Sequence, residues 1–136
     1  MNNLAVTLRA QGDLNRAREL REKVLEISRR VLGEEHPDTL RSMNNLAESL
    51  SAQGDLNRAR ELQEKVLEIR RRILGEKHPD TSNSEWNLLM SLLKLGEQSA
   101  AKAVSKNLAW LLERTPESLG AVHRQIRSNL EQLLKR

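Results

Sequence analysis

The chain has 136 residues, with 23 Lys and Arg against 19 Asp and Glu, and it contains no Cys, Phe or Tyr. That length suits one domain, and 38% hydrophobic with 31% charged residues is typical of a highly charged globular protein rather than a disordered one. The absence of Cys excludes disulfides and thiol chemistry and fits a reducing, cytoplasmic location. No apolar run reaches the roughly 18 residues of a membrane span, no signal peptide opens the chain, and a net charge of +4 does not indicate a nucleic-acid partner.

The chain repeats itself with a period of 42 residues. Residues 1–42 and 43–84 are identical at 33 of 42 positions. A third repeat, 85–115, keeps the phase only in its first half. The phase is then lost: Pro116 stands at the position equivalent to Leu74, and the expected connector is missing. A fixed period of this length predicts a stack of supersecondary units that form one repeat domain over 1–136.

Each repeat is predicted to form two helices. The first helix of repeat 1 is short, because repeat 1 lacks the stretch equivalent to Pro37–Ser42. In repeat 2 the break at Gly54-Asp55 ends the first helix and provides an N-cap for the second, which spans Leu56 to Leu74 with apolar residues at steps of three and four.

The next predicted helix runs from about Pro79 to Leu95, since a Pro in the first turn after a His favours a helix start. The segment 116–136 is predicted to be one capping helix with Thr115 as its N-cap. The apolar stripe of that helix should cover the third repeat and consists of Leu119, Val122, Ile126, Leu130 and Leu133. No segment alternates with period two, so no strand is predicted.

The run N-L-A-x-x-L-x-x-Q-G-D-L-x-x-A-x-x-L, followed by L-G-E-x-H-P-D-T, resembles the 42-residue tetratricopeptide repeat of kinesin light chains and of many bacterial repeat proteins. Ala47, Gly54 and Ala59 match the small-residue positions of that family. The resemblance implies an all-α, right-handed α-α superhelix of helical hairpins with a C-terminal capping helix. It also implies a non-catalytic scaffold that binds a peptide or a helix in a concave groove lined by the first helices.

The positions that the resemblance assigns to this groove include one Asn in the same phase of each repeat. An amide side chain both donates and accepts hydrogen bonds, so it suits the backbone of a ligand; the alternative is that these Asn satisfy neighbouring helix ends. Trp86 and Met90 form either a pocket for a ligand side chain or a core beneath the C-terminal helix. The predicted groove residues are Asn2, Asn3, Val6, Arg9, Asn44, Asn45, Glu48, Ser51, Trp86, Asn87, Met90 and Leu93.

No residue pattern indicates catalysis, a metal or a cofactor. His36 and His78 occupy equivalent helix starts one repeat apart, and His123 lies at the edge of the last apolar stripe, so structural roles are predicted for all three. The carboxylates form solvated helical pairs, and none is expected in an apolar setting that would shift its pKa. Arg70-Arg71-Arg72 is interpreted as a solvated helix face, not a nucleic-acid site.

The sequence therefore predicts a protein-interaction scaffold that is not an enzyme and has no cofactor. Two alternatives remain open: a sensor or assembly segment of a larger signalling protein, and self-association through open repeat ends. The apolar residues Leu4, Leu8, Leu20 and Val24 lack a preceding hairpin, and we expect a homodimer at high protein concentration.

Overall fold

The computed structural model describes the backbone of residues 3–135 and the side chains from Gly12 to Lys135. No strand occurs in this described part, which confirms the all-α class. Two short 3₁₀ segments, Ala109–Glu113 and Pro116–Ser118, lie before the last helix. The α-helices are α1 Asn3–Leu32, α2 Pro37–Ala52, α3 Leu56–Leu74, α4 Pro79–Lys94, α5 Gln98–Leu108 and α6 Ala121–Leu134.

The chain divides into two compact units within α3. The N-terminal unit, Met1–Gln63, contains α1, α2 and the start of α3. The C-terminal unit, Glu64–Arg136, contains the rest of α3 together with α4, α5 and α6.

The helix break predicted at Gly54-Asp55 is present, but its counterpart in repeat 1 is not. Gly54 has φ +86°, the left-handed conformation that ends a helix without steric strain, and Asp55 begins the next helix by accepting from the Arg58 amide. Gly12 has no positive φ and lies inside the continuous 30-residue helix α1. The prediction of two helices in repeat 1 is therefore wrong for the described chain.

The length of the first helix explains this difference between the repeats. In repeat 2 the first helix, α2, has 16 residues. A first helix of about ten residues in repeat 1 would be marginal on its own, because too few hydrogen bonds offset the cost of helix nucleation. Continuing the helix through Gly12 costs about 1 kcal/mol relative to Ala but preserves the backbone hydrogen bonds.

Two helices begin with the same His-Pro-Asp-Thr sequence and the same cap. His36 precedes α2 in an extended conformation, and its Nδ1 accepts from the Asp38 amide at 3.0 Å. His78 does the same before α4, with Asp80 as donor at 3.0 Å. An acceptor at the N-cap satisfies one of the amides that the first turn leaves unpaired. The predicted structural role of these two His is confirmed.

The core of the N-terminal unit lies where α1 and α2 pack together. Leu25 of α1 is buried, and the Thr39 hydroxyl of α2 donates to the Ser28 carbonyl of α1 at 3.3 Å. The small residue Ala59 at the start of α3 is also fully buried. The remaining buried apolar residues of this unit lie on α2: Leu40, Met43, Leu46, Ala47 and Leu50.

The core of the C-terminal unit joins α4 and α5 to the C-terminal helix α6. Leu119, Ile126 and Leu130 of the predicted capping stripe pack in this core, which confirms that the stripe covers the third repeat. Val122 of the same stripe is exposed. The other buried members of the cluster are Leu67, Leu88, Leu89, Leu92, Ala101, Leu108 and Leu111.

The capping helix begins later than the sequence predicts. Thr115 precedes the short 3₁₀ turn Pro116–Ser118, and Leu119 follows in an extended conformation. α6 itself begins at Ala121 with Gly120 as its N-cap. The Arg124 side chain donates to the carbonyls of Pro116 and Leu119 at 3.1 and 3.0 Å, and these bonds link the first turn of α6 to the segment that precedes it.

The burial of Ala59 supports a packing prediction. The change Ala59→Leu adds three carbon atoms to a fully enclosed position and should lower the free energy of unfolding by about 1–3 kcal/mol, measured by urea titration. The matched control is Ala52→Leu at the exposed end of α2, which should be nearly neutral. Equal effects of the two changes would contradict the prediction.

Candidate functional site

The predicted groove residues of repeat 2 lie on one accessible stretch of α2. Asn45 and Glu48 are exposed, whereas Asn44 and Ser51 are half-buried. Arg21 of α1 reaches across to this stretch, where its Nη1 donates to the Asn45 carbonyl at 2.7 Å and to the Ser49 hydroxyl at 2.8 Å. Arg21 also lies 4.0 Å from a Glu48 oxygen. The backbone of this stretch is thus fixed by α1, while the Asn45 and Glu48 side chains remain accessible to solvent.

The predicted groove residues of repeat 3 lie on α4, partly beneath α6. Trp86, Asn87 and Met90 are half-buried, and Leu93 is exposed. Trp86 and Met90 pack against the core of the C-terminal unit. The same two side chains also line an open cleft, so the pocket and core interpretations both describe part of their surroundings.

The cleft between α4 and α6 has a volume of about 160 Å³. Its apolar lining consists of Trp86, Met90 and Leu133, and its polar lining consists of the amide side chains of Asn129 and Gln132. Asn129 Oδ1 accepts from the Gln125 side-chain amide at 3.0 Å, which orients the Asn129 amide. An apolar floor beside a few oriented polar groups is typical of a site that binds one side chain of a ligand.

The groove residues predicted in repeat 1 cannot be placed in this way. Asn2 lies outside the described residues, and the side chains of Asn3, Val6 and Arg9 lie outside the described side chains.

His123 is structural, as the sequence predicts, and the structure adds its partners. The His123 ring is buried, its Nε2 lies 2.9 Å from the Ser82 hydroxyl, and the ring makes an edge contact with Trp110 at 5.1 Å. Burial, and then the nearby His78, lower the pKa of His123 below its ordinary value of 6.5. Ser82 occupies the position of the buried Leu40 one repeat earlier, so His123 satisfies a hydroxyl that repeat 3 introduced into an apolar position.

One carboxylate contradicts the prediction that none lies in an apolar setting. Glu85 is fully buried on α4, at the position that Met43 occupies one repeat earlier. Burial raises the pKa of Glu85 from 4.5 to about 7; the Arg71 guanidinium, 3.2 Å away, opposes this rise, and the nearby Glu76 adds to it. The signal that could have revealed Glu85 was the charged residue at an apolar repeat position.

The Arg cluster at the end of α3 is not simply a solvated face. Arg70 donates to the Asp80 carbonyl at 3.3 Å and to the Ser84 hydroxyl at 2.8 Å. Arg71 forms ion pairs with Glu85 and Glu76. These Arg side chains hold the end of α3 to the start of α4, which corrects the interpretation of this cluster as solvated.

The described residues show neither a cluster of metal ligands nor a membrane-spanning helix. Among the side chains from Gly12 to Lys135, no three His, Asp or Glu are grouped to hold a metal ion. In that same part of the chain, no helix combines the length and the apolar character that crossing a bilayer requires.

The fold and the sequence define a class of protein. The tetratricopeptide repeat model matches residues 1–72 and 44–106, and the chain belongs to the tetratricopeptide repeat family. A solved structure, described as a Podosopora anserina putative kinesin light chain with nearly identical TPR-like repeats, superposes with a TM-score of 0.71 at 26% identity over 97% of this chain and 69% of that chain. No curated protein matches the chain. The predicted kinesin-light-chain-like type of repeat is confirmed, and repeats of this family generally act as non-catalytic scaffolds in protein–protein interaction.

Proposed function

We propose that the chain is a protein-interaction module that binds an apolar side chain of a peptide or helix in the cleft between α4 and α6. The observation that carries this proposal is the composition of the cleft, in which Trp86, Met90 and Leu133 face the amides of Asn129 and Gln132. An apolar side chain of the ligand enters between the three apolar residues, and the amides bind the adjacent backbone of the ligand.

Asn87 extends this site along α4. It is half-buried one residue after Trp86 and does not line the cleft itself, so we propose that its amide contacts the ligand outside the cleft. On α2 of the N-terminal unit, Asn45 and Glu48 present an amide and a carboxylate to solvent. We propose the same type of ligand contact for that stretch.

The test uses a peptide selected from a random peptide library against the whole chain. The chain has two Trp, so Trp110→Phe leaves Trp86 as the reporter of the cleft, and its fluorescence should change when the peptide binds. The double change Asn129→Ala/Gln132→Ala removes the two amides that line the cleft and should weaken peptide binding roughly 5- to 100-fold while the melting temperature stays nearly constant.

The control for this experiment is Asn107→Ala, which removes an exposed amide on α5 away from the cleft. It should leave both peptide affinity and stability unchanged. If the double change unfolds the protein, the amides are structural. If it alters neither property, the peptide binds elsewhere and the proposed site is wrong.

A further inference from the structure

A cavity of about 230 Å³ lies between α3 and α4 in the C-terminal unit. Its floor is apolar, because the lining residues Leu67 and Leu88 are 3% and 5% exposed. Glu64 and Glu68 also line it, and both are exposed, one turn apart on α3. The cavity shares no lining residue with the cleft between α4 and α6, so it is a separate site.

The remaining lining residue, Arg71, has a positive charge that two other carboxylates already offset. Its Nη2 lies 3.2 Å from a Glu85 oxygen, and its Nε lies 2.8 Å from a Glu76 oxygen. Glu85 is fully buried, and its second oxygen, Oε2, has no hydrogen-bond partner within the described part of the chain. A buried carboxylate that is incompletely paired favours a proton or a further cation nearby.

The N-terminal unit contains an equivalent cavity between α1 and α2, with a volume of about 600 Å³. Five of its lining residues stand exactly one repeat before those of the smaller cavity: Glu22, Leu25, Glu26, Arg29 and Leu46. Its lining also includes Arg30, Glu34 and Arg58. This lining therefore contains three Glu and three Arg, and its charges balance.

The two cavities differ in the charge that a ligand meets. In the N-terminal unit Arg29 pairs with Glu34 at 2.6 Å, and the apolar Met43 occupies the position of Glu85. An incoming cation meets balanced charges there, whereas in the C-terminal unit it meets an excess of carboxylates. The comparison indicates that the cavity of the C-terminal unit suits a positively charged group.

We propose that the cavity between α3 and α4 binds a Lys or Arg side chain of a partner protein. The aliphatic stem lies on Leu67 and Leu88, and the charged group lies at the carboxylates of Glu64 and Glu68. Long basic side chains commonly bury their stem on apolar surface and keep their charge near water. The volume is smaller than the roughly 300 Å³ at which small-molecule pockets begin, so it suits a single side chain. This site does not depend on the proposed function of the cleft.

The experiment is a titration of the whole chain with two small probes, followed by methyl NMR of isotope-labelled Leu side chains. It is performed at about pH 8, where Glu85 is largely ionised, because its pKa is raised to about 7. The first probe is Nα-acetyl-lysinamide, and the second is Nα-acetyl-norleucinamide, which has the stem without the ammonium group. The Lys probe should shift the methyl signals of Leu67 and Leu88, and the norleucine probe should leave them nearly unchanged. Equal shifts with both probes, or none with either, would overturn the proposal.

The equivalent cavity provides a control in the same spectra. The methyl signals of Leu25 and Leu46, which line it, should not respond to the Lys probe, because the lining charges balance. Equal responses of the two pairs of Leu would mean that the charge difference does not select the ligand, and the proposal would be wrong.

Matched variants test the carboxylates directly. Glu64→Gln/Glu68→Gln should raise the dissociation constant of the Lys probe roughly 2- to 30-fold, because it removes two exposed charge contacts. Glu22→Gln/Glu26→Gln, at the same positions one repeat earlier, should leave this constant unchanged. A double variant at Glu64 and Glu68 that binds the probe as tightly as the wild type would contradict the proposed role of these two residues.

A further variant adds a charge instead of removing one. Ala100 is exposed on α5 at the position equivalent to Arg58, which lines the cavity of the N-terminal unit. Ala100→Arg should therefore place a cation beside the cavity of the C-terminal unit and weaken binding of the Lys probe, while circular dichroism confirms that the helices are retained. Undiminished binding of the probe by this variant would count against the proposal.

Discussion

Replacing Glu85 by Met, the residue at the same position of repeat 2, should raise the free energy of unfolding at pH 8 by up to about 3 kcal/mol, because the folded variant no longer has to ionise a buried carboxyl group. Glu85 is fully buried, and Arg71, which pairs with it at 3.2 Å, also pairs with Glu76 at 2.8 Å. Met43 shows that the repeat accommodates a Met side chain at this position with no exposure. The measurement is urea unfolding of the wild type and the variant.

The gain from Glu85→Met should depend on pH in a defined direction. The folded pKa of Glu85, about 7, is above its ordinary value of 4.5, so the folded protein retains a proton that the unfolded chain releases. The contribution of Glu85 to stability is thus fully present below about pH 4.5 and is lost as the pH rises through about 7. A pKa difference of this size corresponds to about 3 kcal/mol.

The control is Glu85→Gln, which removes the charge and retains the shape. The stability difference between wild type and Glu85→Gln should likewise grow from pH 4.5 to pH 7.5. A difference that stays constant over this range would show that Arg71 keeps Glu85 ionised throughout, contrary to the expectation.

The second large effect is expected at the capping helix α6. Leu130 is 1% exposed in the core of the C-terminal unit, and Leu130→Ala should lower the free energy of unfolding by about 2–5 kcal/mol, because it leaves a cavity among Leu residues that cannot fully collapse. The matched control, Leu134→Ala, removes the same atoms from the same helix at a position that is 62% exposed. It should be nearly neutral in the same urea titration.

Deleting the whole segment 119–136 provides an independent test of the cap. The deletion exposes the apolar residues of α4 and of the 3₁₀ segment that α6 covers, including Leu111, and should cause aggregation or loss of cooperative unfolding. A soluble truncated chain as stable as the wild type would show that α6 does not contribute to the core.

The sequence by itself determined most of the local structure. The 42-residue period, the three- and four-residue apolar steps and the Gly54-Asp55 break determine the helices α2 to α4, because each signal acts through the backbone of its own segment. The His-Pro-Asp-Thr caps are local signals of the same kind, because the His acceptor and the amide that it binds are only two residues apart. The apolar stripe of the capping helix was also readable, because its period matches the helix.

Only the tertiary structure decided whether a local sequence signal produces the structure that it predicts. Gln-Gly-Asp occurs identically around Gly12 and Gly54, yet the chain turns only at Gly54, because a turn is stable only where the helix that precedes it is long enough to pack. The ion pair of Glu85 with Arg71 and the hydrogen bond between Ser82 and His123 likewise join residues that are distant in sequence or lie on different helices. The cleft beside Trp86 requires α6, which begins at Ala121 after an irregular segment rather than directly after Thr115. Periodicity places a residue on a face of its helix, but the neighbouring helix determines whether that face becomes core, cleft or open surface.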